Sequence, residues 1–227
     1  MTLSRRDFLK LSSLITASAA IASCAPASRQ ITRTLAPLKN DAWPALSAAD
    51  FVALSRLTFG PRPEERTRLG EIGLANWIEE QLAPESISDN AISIRLRNIS
   101  SLNMSASDLF DYSDGLFDNY NRQKVPRELR TATLIRQVYS RRQLHEVLVE
   151  FWNDHFNIFT EKGDCFVLKT VDDRDVIRAH ALGSLRDLVW ASAHSPAMLV
   201  YLDNQANTAG APNENYAREL MELHTLG

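Results

Sequence analysis

The apolar positions fall into a succession of short helical stripes separated by Gly and Pro. Ser47 is placed to cap a helix running through AADFVALSRLTF, which Gly60-Pro61 stops. A second short helix follows Pro63. In GLANWIEEQL (73–82), Leu74, Trp77, Ile78 and Leu82 make one stripe that closes at Pro84. Two more helices are predicted around 92–99 and 108–120. After Pro126 the pattern sharpens: Leu144, Val147, Leu148, Phe151, Trp152, His155, Phe156 and Phe159 keep helical spacing, and so broad a stripe predicts a buried helix. DDRD (172–175) places acidic residues where they suit the positive end of a new helix. Gly183 interrupts, SLRDLVWASAH forms one more helix, and Ser195-Pro196 supplies a cap and a first-turn proline for a segment ending at Asp203.

Composition supports this reading. Only 8 Gly and 9 Pro punctuate 227 residues, and the stretches between them are rich in Leu, Ala, Arg and Glu, so the fold class is all-α, an irregular multi-helix domain. With 44% hydrophobic and 23% charged residues the chain can bury a real core. The two cysteines, Cys24 and Cys165, cannot form a disulfide framework, and Cys165, in the turn-like EKGDCF, reads as a structural thiol.

The first residues carry an address. Ser4-Arg5-Arg6-Asp7-Phe8-Leu9-Lys10 resembles the twin-arginine export signal, and Leu11 to Ala22 is an apolar stretch shorter than the roughly 20 residues of a membrane span. Ile21-Ala22-Ser23-Cys24 resembles a lipobox, whose cysteine becomes a lipidated N-terminus; the competing reading is ordinary cleavage near Ala20-Ile21-Ala22. The expected organisation is a signal peptide at 1–23, a tether or irregular arm at 24–46 holding three prolines, and a helical domain at 47–227. The expected location is the periplasmic or cell-envelope side, anchored in the membrane through Cys24. Loss of Arg5, Arg6, Lys10 and Asp7 with the leader changes the formal charge from -3 to -5, with 22 basic and 27 acidic side chains. That balance argues against a general attraction to nucleic acid. The basic run RQKVPRELR (122–130) reads as a solvated helix start.

Four phrases belong together: FVALSRLTFGPRPEE (51–65), FWNDHFNI (151–158), IRAHALGSLRDLVWASAHSPAMLVYLDNQAN (177–207) and NENYARELMELHTLG (213–227). They resemble the bacterial family called domain of unknown function 1800. The resemblance covers about 47–227 and implies a secreted protein, with a family pattern that continues past the last phrase. On that ground the chain is expected to be a truncated copy holding the N-terminal half, the rival being a genuine short variant. Asn213, Glu214, Asn215, Arg218, Glu219 and Glu222 all match the family's most distinctive phrase.

On a helical wheel Tyr216, Ala217, Leu220, Met221, Leu223 and His224 share an apolar side, while Glu214, Arg218 and Glu222 line the other. The plain reading of that charged face is a set of solvated salt bridges. The functional reading sets His155, a metal ligand or general base on an apolar stripe, against the carboxylates Glu219 and Glu222, with Arg218 orienting a carboxylate or an anionic substrate. A second reading of the metal is an oxygen-rich loop, DNQANTAGAPNE (203–214), in which Asp203, Gln205, Asn207 and Glu214 fall at calcium-loop offsets; Thr208 stands where an EF-hand needs Gly, and a capped connector explains the same residues. No G-x-S-x-G elbow, P-loop, G-x-G-x-x-G or paired C-x-x-C occurs. Two functions are expected: a metal-assisted hydrolase using a divalent cation, or a non-catalytic envelope lipoprotein that binds a partner protein or is a non-functional fragment.

Overall fold

The computed structural model describes residues 45–113 and 123–225, and among them every regular element is a helix, with one isolated bridge between Thr208 and Ala211. Arg5, Arg6 and Cys24, and nearly all of the expected tether, lie outside the described residues. The all-α fold class predicted from sequence is the observed one.

Three helices open the domain: α1 (Ala48–Leu57), α2 (Pro63–Ile72) and α3 (Leu74–Leu82). Ser47 caps α1 as predicted, in a reciprocal capping box with Asp50: the Ser47 hydroxyl accepts from the Asp50 amide at 3.1 Å while the Asp50 carboxylate accepts from the Ser47 amide at 3.2 Å. Gly73 closes α2 and opens α3, at φ 78, a left-handed conformation that glycine adopts without strain. These helices share a small core of Leu54, Leu69 and Trp77. Leu82, predicted on the buried stripe of α3, is exposed; its neighbour Gln81 is buried instead, because its side chain bonds the Arg141 carbonyl and the Leu144 amide. Buried Gln143 makes a matching tie, accepting from the Phe59 amide and donating to the carbonyls of Gln137 and Ser140. Two amide side chains thus fasten the opening helices to the turn that follows α6.

The predicted helices at 92–99 and 108–120 appear as α4 (Asn90–Leu96) and α5 (Ala106–Ser113), with 114–120 outside the described residues. Next come α6 (Lys124–Tyr139), whose Arg127 and Arg130 are exposed, and α7 (Gln143–His155). At the centre lies α8 (Cys165–Asp172), which runs through a π-helical turn (Asp173–Ile177) into α9 (Arg178–His180). Around it pack α5, α6 and α11 (Pro196–Tyr201), and α10 (Leu185–His194) packs on the π turn and on α11. The main core is built here, from Val149, Phe156, Cys165, Leu168, Ile177 and Met198 among others.

Two expectations fail at this centre. DDRD does not begin a helix: it is the exit of α8 and the start of the π turn, and both Asp172 and Asp173 are buried. Their charges are met by partners rather than by a helix dipole. Lys169 donates to Asp172 at 2.8 Å, and the Ser195 hydroxyl donates to Asp172 at 2.6 Å. Ser195 therefore precedes Pro196 at the start of α11 without capping it through its side chain. The second failure is α7. Phe151 and Phe159, predicted inside, are more than half exposed, while Gln143, Glu146 and Val149 point inward. Cys165 is buried at the start of α8, its sulfur 3.7 Å from the Ala197 carbonyl, and burial raises its pKa, in keeping with a structural thiol.

The capping box gives a direct check. Ser47→Ala removes one cap bond and is expected to cost about 1 kcal/mol in urea unfolding, with the slope of the transition unchanged.

Candidate functional site

Helix α7 has two functional faces. Nine residues separate Glu146 from His155, which at about 100° per residue sets them on roughly opposite sides of the helix. Glu146 faces a buried ion network; His155 faces the last helical segment.

The network is centred on Arg178. Its guanidinium donates to both oxygens of Glu146, at 3.1 and 2.7 Å, and through Nε to Asp173 Oδ2 at 2.9 Å. Asp173 Oδ1 accepts from the Asn153 side chain at 2.9 Å. Arg136 stands nearby, its Nη1 4.0 Å from Asp173 Oδ2 and without a hydrogen bond. The π turn makes this possible. In an α-helix residues five apart diverge by roughly 140°, whereas the i→i+5 register, seen in the Arg178 amide bonding the Asp173 carbonyl, brings the two side chains together. Burial alone would raise the Glu146 carboxyl. The neighbouring His145 imidazole and the Arg178 fork, with the charges of Arg178 and Arg136, outweigh it and hold the group at about 2. His145 Nδ1 is 3.9 Å away, too far for a hydrogen bond, so Arg178 is the stronger holder. Burial, and then the charge of Arg178, pushes Arg136 below its usual value, with Asp173 and Glu146 opposing.

Above this network opens a cleft of about 600 Å³ between α6 and α7. Leu129, Leu134 and Val149 supply apolar wall, Arg178 and Asp173 lie in its lining, and Glu150 and Asp154 line the α7 side. Burial and the Asp154 charge raise the Glu150 pKa. The Asn153 side-chain oxygen, also in the lining, is buried and has no partner.

On the other face, His155 Nε2 lies 3.0 Å from the His224 carbonyl. A carbonyl only accepts, so Nε2 carries the proton, and in the neutral ring the basic lone pair is on Nδ1. The two imidazoles are 6.0 Å apart between centroids, and Phe156 packs on both. His224 is buried and its Nδ1 has no partner. Burial, and then His155, lowers its pKa against the opposing charge of Glu219.

The predicted site residues are thus partly brought together. His155 meets the final segment, α12 (Asn215–Glu219) and a π-helical stretch (Leu220–Thr225), where Glu219 is half-buried near His224. Arg218 bonds Glu214 on the exposed surface, and Glu222 is exposed. The π register also breaks the predicted wheel: Met221 and Leu223 are exposed while His224 is buried. The loop residues are engaged separately. Asp203, in the left-handed region at φ 57, pairs with Lys162 at 2.7 Å; Asn207 donates to Asn204 and accepts from the Asn213 amide. Among the described residues no three His, Cys, Asp or Glu side chains are grouped so as to hold a metal, and His155, Asp203, Asn207 and Glu214 do not form one donor set. Glu146, Arg178 and Arg136 were not singled out from sequence, and Asp173 was read only as part of a helix start. The signal for them was a set of ionisable residues inside strongly apolar segments, with Asp173 and Arg178 five apart.

This is an all-α domain organised around a buried ion network. A family model described as "Protein of unknown function (DUF1800)" matches residues 52–227, and the chain belongs to that family. No curated protein and no solved structure matches it.

Glu146 gives a test of the network. Glu146→Gln leaves buried Arg178 short of a charge and is expected to cost about 3–5 kcal/mol in chemical unfolding. Because the folded pKa of about 2 lies below the ordinary 4.5, the stabilisation is full above pH 4.5 and is lost as pH falls toward 2. Urea titrations across that window should show an acid loss on the order of 3 kcal/mol in the parent, missing from Glu146→Gln.

Proposed function

We propose that the chain is an exported cell-envelope protein, lipid-anchored at Cys24, whose helical domain binds a small amphipathic ligand in the cleft between α6 and α7. The observation that carries this reading is the division of labour in the cleft. Its walls expose mainly apolar surface, and the charges on its floor are paired, Arg178 with Glu146 and Asp173 and Lys169 with Asp172, so the floor offers no unpaired charge to a ligand. Glu150 and Asp154, four residues apart on the same side of α7 and both exposed, form an acidic handle that outnumbers the one exposed cation of the lining, Arg130, and Glu150 also accepts from the Gln137 side chain at 3.1 Å. A ligand with an aliphatic body and a cationic or hydroxyl-rich end fits that arrangement, and the cleft volume suits such a molecule. Glu146 and Asp173 are poor catalysts, because every carboxylate oxygen already accepts a bond. The twin-arginine motif and lipobox support the location.

A second reading, hydrolytic acid–base chemistry, is favoured by one observation: a buried His224 held toward its neutral form, with an unpartnered Nδ1, beside a His155 whose proton is fixed on Nε2. Glu219, on the segment that resembles the family phrase, adds a carboxylate there. The divalent metal of the sequence reading has no gathered donor set among the described residues, so this reading runs through the imidazoles alone.

Sub-micellar dodecyltrimethylammonium should raise the melting temperature more than dodecyl sulfate does, and Glu150→Gln with Asp154→Asn should erase the preference; equal response to both surfactants defeats the cleft reading. Hydrolysis of a p-nitrophenyl ester that is lost in His155→Gln and kept in Glu150→Gln would instead establish the second. For location, palmitate labelling should disappear in Cys24→Ala, and Arg5→Lys with Arg6→Lys should retain the protein in the cytoplasm.

A further inference from the structure

The ion network is a wall with a second concavity behind it. A pocket of about 370 Å³ is bounded by α4, the 3₁₀ turn at Ser100–Asn103, α6 and the end of α8. Asp173 lines both this pocket and the cleft. Three guanidinium groups line it, those of Arg97, Arg136 and Arg174, against the single carboxylate of Asp173. Its oxygens already accept from Asn153 and Arg178, so although it stands 4.0 Å from Arg136 Nη1 and offsets part of that charge, it makes no hydrogen bond there.

The three arginines are not in the same state. Arg174 is held in place, its fork on Asp175 and its Nη1 on the carbonyls of Leu102 and Met104. Arg97 is exposed at the pocket, with no ion pair among the described residues. Arg136 is largely buried, and its Nη1 has no hydrogen-bond acceptor. The Thr170 hydroxyl, on a residue 1% exposed, is a second buried group in the lining without a partner. Buried donors lacking acceptors are costly and are therefore uncommon in folded proteins. Two of them in one basic pocket ask for the same complement, a small group offering several anionic oxygens, and arginine forks suit a phosphate group in particular.

We propose that the pocket formed by Arg97, Arg136, Arg174 and Thr170 binds a phosphate group, carried either by a free small molecule or by a phospholipid headgroup. Arg136 and the Thr170 hydroxyl, moving slightly toward the pocket, hold its oxygens from below; Arg97 closes over it from solvent. Arg174 contributes field and shape, since its donors are committed. This site is independent of the ligand in the α6–α7 cleft.

The experiment uses the full chain with Cys24→Ser, so that no lipid anchor drives association. Inorganic phosphate, titrated calorimetrically and in melting experiments, should bind and stabilise the protein beyond chloride at equal ionic strength. Arg136→Gln should weaken phosphate binding at least tenfold and Arg97→Gln several-fold. Arg97 is exposed, so its variant folds whatever becomes of Arg136→Gln. Thr170→Val removes a hydroxyl that has no partner and should leave stability intact while lowering phosphate affinity, an effect a purely structural threonine would not show. Binding to phosphatidylglycerol vesicles over phosphatidylcholine, displaced by phosphate and lost in Arg97→Gln, assigns the headgroup as source; phosphate binding without vesicle binding assigns a free ligand. The proposal falls if phosphate acts no differently from chloride, or if Arg97→Gln and Thr170→Val both bind it as the parent does.

Discussion

A buried carboxylate shared by a π turn and three helices organises this domain. Asp173 cannot be left alone in the interior, because an unpaired buried charge is far costlier than any contact it makes. It holds Arg178, five residues along, and through Arg178 it reaches Glu146 on α7; its other oxygen holds Asn153, and Arg136 approaches from α6. An arrangement of the core helices that separated these groups would leave buried charges unpaired, which disfavours it. Hydrophobic burial around Phe156, Ile177 and Met198 drives collapse, but apolar contact alone would tolerate other registers.

The same network explains why α7 is two-sided. Its inward face carries polar side chains that the network satisfies, so part of its apolar stripe is displaced toward the surface, where Phe151 stacks with His155 and packs edge-on against Trp152. Trp152 is tied by its indole N–H to the Ala181 carbonyl at 3.1 Å, anchoring α7 to the end of α9. The wall between the cleft and the basic pocket is therefore internally paired, the charges of Glu146 and Asp173 being balanced by Arg178 and Arg136 together. That pairing matters for both concavities: the floor of the cleft presents no unpaired charge, and the net positive charge of the pocket rests on Arg97, since Asp173 faces Arg136 and Asp175 pairs with Arg174.

Much of the fold was legible because its signals are local. Ser47 ahead of α1 and Pro63 and Pro196 at the starts of α2 and α11 are helix-start signals that depend on neighbouring residues alone. The candidate site was half legible. His155 does meet the last segment, but through the His224 carbonyl rather than the carboxylates of Glu219 and Glu222. The charged face of that segment was overread: Arg218 and Glu214 pair with each other at the surface, and the π register moves Glu222 out of line. Glu146, Asp173 and Arg178 escaped notice because DDRD has the look of a helix start, and a π turn leaves no periodicity that a 3.6-residue pattern would reveal.

From sequence alone come the all-α class, most helix positions and the resemblance to the family, because each is written in contiguous residues. The tertiary structure decided which polar residues are buried, which face of α7 turns inward, and that Arg136 and Thr170 meet in one pocket. Those outcomes depend on pairings between residues tens of positions apart, whose energies exist only once the chain has brought them out of water together.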